Sequence, residues 1–239
     1  MKKLIMIISL MVAFSMMAAP EAQSLQMTLN TNAYSGVSRG GEFSAIPSAD
    51  WAGVLNNYDS KTKNIGYTGS FETFCMEYTE EFNPGLTYNV QINNKAMNGG
   101  VIPAGTGDPI SIGTAWLYYE FAKGILQNYD YSTTDGGRIV SADALQRTIW
   151  LLEGEDSLGA PPPDYGPGTF TNLLIGKFGS LGAAEADNNG EYGVAVLNMT
   201  YLNGALSQDQ LTLVPEPATM LLLGLGLMGL AGIRRKFKG

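Results

Sequence analysis

Cys75 is the only cysteine in a chain of 239 residues that has no histidine. The missing imidazole removes Ser-His-Asp and Cys-His catalysis as usually built, Cys/His zinc sites, and any histidine pH switch. A single cysteine cannot form an intramolecular disulfide, so its thiol needs another explanation. Two short segments stand out as chemistry: Thr73-Phe74-Cys75-Met76-Glu77 and Leu145-Gln146-Arg147-Thr148-Ile149-Trp150. Other polar groups have simpler readings. Glu153, Glu155 and Asp156 read as a solvated helix end, with a carboxylate pair for glycoside cleavage as the alternative. Asp187-Asn188-Asn189-Gly190-Glu191 lacks the spacing of a calcium loop and reads as a β-turn. Seven of the 12 tyrosines (58, 67, 78, 88, 118, 119 and 129) read either as a sugar-binding face or as members of a sheet. No cofactor or metal site is expected.

The two segments resemble the paired signatures of bacterial surface thioester domains. In that family an aromatic residue precedes the cysteine and an apolar residue follows it, as Phe74 and Met76 do here. The partner glutamine lies in a helix that reads apolar-Gln-two residues-apolar-Trp, matched by Leu145, Gln146, Ile149 and Trp150. Leu145 and Thr148 replace the Thr and Ala of many members, and the likeness covers about residues 70–155. The resemblance implies an internal thioester between Cys75 and Gln146. It would form by thiolate attack on the carboxamide with loss of ammonia. Holding the two groups in contact supplies about 7–11 kcal/mol of such a barrier. A lysine amine on another surface would then open the bond and leave an isopeptide link to Gln146. Phe71, Phe74, Trp116, Tyr119 and Trp150 are the expected aromatic shield against water, and Glu77 and Tyr78 the nearest groups for proton transfer. The alternative is a plain core cysteine with a solvated Gln146.

Positioning these residues takes both strands and helices. Leu25–Leu29, Thr68–Tyr78, Leu86–Ile92, Tyr192–Met199 and Leu211–Val214 read as strands. Phe71 and Cys75, four residues apart, share a strand face. Ile112–Leu126 has helical spacing, and Ser141 reads as the N-cap of a helix ending at Glu153-Gly154. Asn83-Pro84-Gly85 is a turn, and Phe170–Phe178 is ambiguous. The expected fold class is α+β, a mixed, mostly antiparallel, barrel-like sheet with two helices inserted in the middle.

The two ends are addresses rather than fold. Lys2-Lys3, the apolar stretch Leu4–Met17 and the small residues up to Ser24 read as a secretory signal peptide over 1–24. At the other end Val214-Pro215-Glu216-Pro217 precedes an apolar, Gly-rich run over 218–233 and then Arg234-Arg235-Lys236-Phe237-Lys238. A polar stop, a short apolar span and a basic end halt in a bilayer with the basic tail inside. The residues resemble the PEP-CTERM sorting signal, which implies an exosortase-type protease, passage through the inner membrane, and delivery to the surface or a biofilm matrix. Six of the 14 basic residues lie in these ends but only two of the 22 acids. The domain over 25–213 thus carries 20 acids against 8 bases, a net −12. That charge repels nucleic acid. The expectation is an exported protein without turnover, acting as a covalent adhesin or cross-linker on an amine-bearing surface or matrix component. A non-covalent exopolysaccharide or matrix protein is the alternative, and an exported hydrolase the third. Deleting Pro215–Pro217 should trap the protein in the inner-membrane fraction; unchanged surface delivery on cell fractionation would contradict the sorting role.

Overall fold

The computed structural model describes residues 25–35, 40–97, 107–134, 136–155 and 169–214. The signal peptide and the apolar span 218–233 lie outside these residues. Among the described residues no helix is long and apolar enough to cross a membrane.

Among the described residues eight strands form in chain order: β1 (Leu25–Ser35), β2 (Gly41–Pro47), β3 (Phe71–Thr73), β4 (Leu86–Asn93), β5 (Lys95–Ala96), β6 (Asp108–Pro109), β7 (Val194–Tyr201) and β8 (Gln210–Leu213). Six of them make one antiparallel sheet in the order β3-β2-β1-β4-β7-β8, and β5 pairs with β6. In β1 the alternation is plain: Met27 and Leu29 are buried while their neighbours are half-buried. The two ends of the six-stranded sheet meet. Leu211 N–H donates to the Phe74 carbonyl (3.1 Å), and Met76 N–H donates to the Asp209 carbonyl (3.0 Å). Side chains complete this seam. Tyr118 Oη donates to the Glu72 and Leu211 carbonyls (3.0 and 3.1 Å) and lies 2.9 Å from Tyr58 Oη. Tyr58 Oη in turn accepts from Leu213 N–H (2.9 Å). The sheet is therefore a nearly closed barrel within an α+β fold, as the sequence leads one to expect.

Two helices fall between β6 and β7 where the spacing predicts them: α1 (Ile112–Ala122) and α2 (Gly137–Leu152). Two more follow, α3 (Thr169–Phe178) and α4 (Leu181–Ala184), so the ambiguous segment 170–178 is helical. Ser111 caps α1 by accepting from Thr114 N–H (3.1 Å). Ser141 does not cap α2. The helix starts four residues earlier, and Ser141 Oγ accepts from Asp130 N–H instead (3.0 Å). Gly154, at φ 75°, ends the helix in the left-handed conformation that glycine adopts without strain.

The orientation of α2 on the barrel depends on a buried ion pair. Arg138 at its start is fully buried against Glu42 of β2, with Nε–Oε2 at 2.9 Å. Arg138 also donates to the carbonyls of Lys61 (2.7 Å) and Tyr131 (3.2 Å), and Tyr129 Oη donates to Glu42 (2.7 Å). A buried charge so fully bonded is tolerated; its partner left alone is not. At the far end of α2, Glu153 accepts from Ser111 N–H (3.2 Å) and Oγ–H (2.8 Å), tying α2 to α1.

Replacing Arg138 by Ala should cost about 3–5 kcal/mol by stranding Glu42, read as a lower urea midpoint. Burial pushes the Glu153 carboxyl up from 4.5 to about 7. The folded state thus holds this proton more tightly than the unfolded chain. Its contribution is full below pH 4.5 and lost as pH rises through 7. Stability should fall over that window, and Glu153→Gln should flatten the fall in denaturation curves taken across it.

Candidate functional site

Cys75 lies on the segment that closes the barrel, directly after β3. It faces Gln210 of β8 in an isolated antiparallel bridge. In that bridge the hydrogen bonds to β8 come from its neighbours Phe74 and Met76. The amide and carbonyl of Cys75 itself therefore point toward β2, whose ladder with β3 has already ended at the Phe43–Thr73 pair. The Gln146 side chain takes the place of that strand. Cys75 N–H donates to Gln146 Oε1 (2.9 Å), and Gln146 Nε2 donates to the Cys75 carbonyl (2.8 Å). Both residues are fully buried. This accounts for a buried glutamine on α2: it fills two backbone valences that would otherwise be orphaned.

The backbone opposite Gln146 leaves no room for a side chain. A Cβ on Gly40 would lie 2.4 Å from Gln146 Cγ and 2.7 Å from the Trp150 ring. Trp150 is four residues beyond Gln146 on the same helix face and buried. Its ring meets Tyr78 edge-on at 5.1 Å. Phe74 is buried against Phe121 (4.9 Å), and Phe71 stacks on Tyr58 (4.7 Å). Trp116 and Tyr119 are engaged elsewhere: Trp116 packs on Phe178 and Tyr119 on Tyr192, with Lys177 over both Trp116 and Tyr192. Phe74, next to Cys75, and Trp150, on the helix face of Gln146, are thus braced by Phe121 and Tyr78.

Burial is the main influence on the Cys75 thiol and pushes it well above the ordinary thiol range; hydrogen bonds from Gln210 and Gln208 oppose that shift. Gln210 Nε2 donates to Sγ at 3.3 Å. Gln208 Nε2 also donates to the Glu77 carbonyl (2.9 Å). The resting sulfur is a protonated thiol amid carboxamides. Burial likewise pushes Glu77 up to about 11, helped by Asp209, Glu80 and Glu155, so at neutral pH it holds a proton and is an acid rather than a base. Glu155 is buried, and its Oε2 accepts from Tyr78 N–H (3.3 Å). Glu153 and Glu155 are therefore not a solvated helix end: donors from distant Ser111 and Tyr78 draw them inward. Gln208 and Gln210 carry no local signal, since Ser207-Gln208-Asp209-Gln210 reads as a polar loop.

The carboxyl end of the fold leads out of this site, because β8 ends at Leu213 and the Pro-Glu-Pro motif begins at Pro215. Comparison with known proteins agrees with that reading of the tail. The family model described as the PEP-CTERM protein-sorting motif matches residues 213–236. No curated protein and no solved structure matches the chain. The motif marks an exported protein processed by an exosortase and addressed to the surface or the extracellular space.

Proposed function

We propose that this exported protein carries an internal thioester between Cys75 Sγ and the Gln146 side-chain carbonyl, and uses it to attach to amines as a covalent adhesin or matrix cross-linker. The observation that supports it is the reciprocal hydrogen bonding of the Gln146 carboxamide to Cys75 itself, in a buried, ring-lined site. The carboxamide is thus held against the residue that bears the chain's single thiol. The step balances without a co-reactant. The S–H bond and the C–N bond break, an S–C bond forms, and the thiol proton leaves with ammonia. Attack by an amine is a second substitution at the same carbonyl carbon: an N–C bond forms at Gln146, the C–S bond breaks, and the amine proton returns to sulfur. Burial keeps water out and makes proximity the main driving contribution. The protonated thiol favours a slow, single formation event rather than turnover.

A second reading rests on the same two hydrogen bonds. They engage both polar atoms of the Gln146 carboxamide, as a purely structural clamp would, and the raised thiol pKa suits an inert core cysteine. The protein would then be a non-covalent component of a biofilm or exopolysaccharide matrix.

Intact mass separates the two readings. The exported, processed protein should weigh one ammonia less than its sequence, and Cys75→Ala should abolish that deficit. Gly40→Ala should abolish it as well, because the added methyl displaces Gln146. Full sequence mass in the unaltered protein, with Gln146→Ala merely destabilising the fold by about 1–3 kcal/mol through the orphaned Cys75 backbone groups, would establish the structural clamp.

A further inference from the structure

A cleft of about 280 Å³ opens beside the barrel seam, with Phe43, Tyr78 and Phe82 among its walls, Glu80 and Glu81 at its acidic side, and Gln208 on its lining. Its chemistry is specific. Phe43 and Phe82 meet edge-on at 4.9 Å, which fixes the apolar wall. Tyr78 is braced by Trp150. Two glutamates and three aromatic residues thus line the same space. That combination binds an organic cation: ring faces attract it, and carboxylates accept from its N–H groups. Among the described residues no three carboxylates converge as metal ligands would.

Two connections reach from this cleft into the fold. Gln208 lines the cleft while its side chain donates to the carbonyl of Glu77, two residues beyond Cys75 (2.9 Å), and Gln210, two residues further along the chain, donates to the sulfur. One short segment thus borders the cleft through Gln208 and the sulfur through Gln210. The second connection is electrostatic. No N–H or O–H donor among the described residues reaches the buried Glu77 carboxyl, whose neighbours include Glu80. Burial raises the carboxyls of both Glu77 and Glu80, and the two are neighbours. Glu80 thus links the cleft lining to this buried carboxyl.

We infer that this cleft is a recognition site for a primary alkylammonium, the side chain of a lysine on another polypeptide, and that it leads that amine toward Cys75. As the entrance for the attacking amine it rests on the thioester reading; as an ammonium site it stands independently. The ammonium is held by Glu80 and Glu81, the four-carbon stem lies along Tyr78, Phe43 and Phe82, and displacement of the Gln208 side chain opens the way to the sulfur. Within the site one proton passes from the ammonium to a carboxylate to give the free amine, and no other reagent is required.

The test uses the exported Cys75→Ala protein, which binds without reacting. The probe is Nα-acetyl-lysine methylamide, and its uncharged counterpart is Nα-acetyl-norleucine methylamide. Titration followed by NMR should move the ring signals of Tyr78 and Phe82 with the lysine probe and leave them still with norleucine. The double variant Glu80→Gln/Glu81→Gln in the same background should weaken lysine binding about tenfold or more, the scale expected for losing charge-assisted hydrogen bonds. Equal shifts with both probes, or no shift with either, overturns the inference whether or not the variant folds. The two proposals fail separately. Lysine binding in Cys75→Ala without an ammonia deficit in the unaltered protein removes the thioester and keeps the cleft. A deficit without selective lysine binding removes the cleft and keeps the thioester.

Discussion

The barrel closes through side chains as much as through backbone, and the rest of the structure follows from that. β3 is three residues long and β8 four, too short to complete a ladder between the ends of a six-stranded sheet. An open edge of this kind invites pairing with other chains. Here Tyr58 and Tyr118 bond carbonyls and an amide across the gap, and Gln146 bonds the backbone of Cys75 from outside it. All three side chains come from segments outside the sheet. The helical layer is thus structurally required: without α1 and α2 the seam would hold several unsatisfied buried polar groups.

That requirement gives the candidate reactive pair its setting. A carboxamide that serves as a strand substitute must be rigid, dry and aligned with the residue it serves. Those are also the conditions under which a weak electrophile and a protonated thiol become reaction partners. The Arg138–Glu42 pair fixes α2 at one end and the Glu153–Ser111 bonds fix it at the other, so Gln146 lies in a span held at both ends. Gly40 seals the back of the site by having no side chain. The Glu77 carboxyl, two residues beyond Cys75, is raised by burial and by the acidic groups around it.

The parts legible in the sequence were those governed by local periodicity. The strands β1, β4, β7 and β8 and the helices α1 and α2 appear where apolar spacing puts them, because each buries one face against the same core. Ser141 misled because serine is a favoured cap, yet its hydroxyl is taken by Asp130, eleven residues earlier, and α2 begins at Gly137. Glu153 and Glu155 looked solvated because their donors, Ser111 and Tyr78, lie 42 and 77 residues away. Gln208 and Gln210 were invisible for the same reason: the cysteine that explains Gln210 is 135 residues distant. Cys75 and Gln146 could be picked out only through a family likeness, since nothing in the spacing of 71 residues joins them.

β8 has one further consequence. It is the strand that carries Gln210 to the sulfur, and it runs straight into the export tag. Any load on the carboxyl end, whether from a membrane before cutting or from a neighbouring object afterwards, reaches this short ribbon before any other part of the body. The pull would peel it away from Phe74 and Met76 one bond at a time. The strand that closes the barrel and the strand that continues into the export tag are therefore the same.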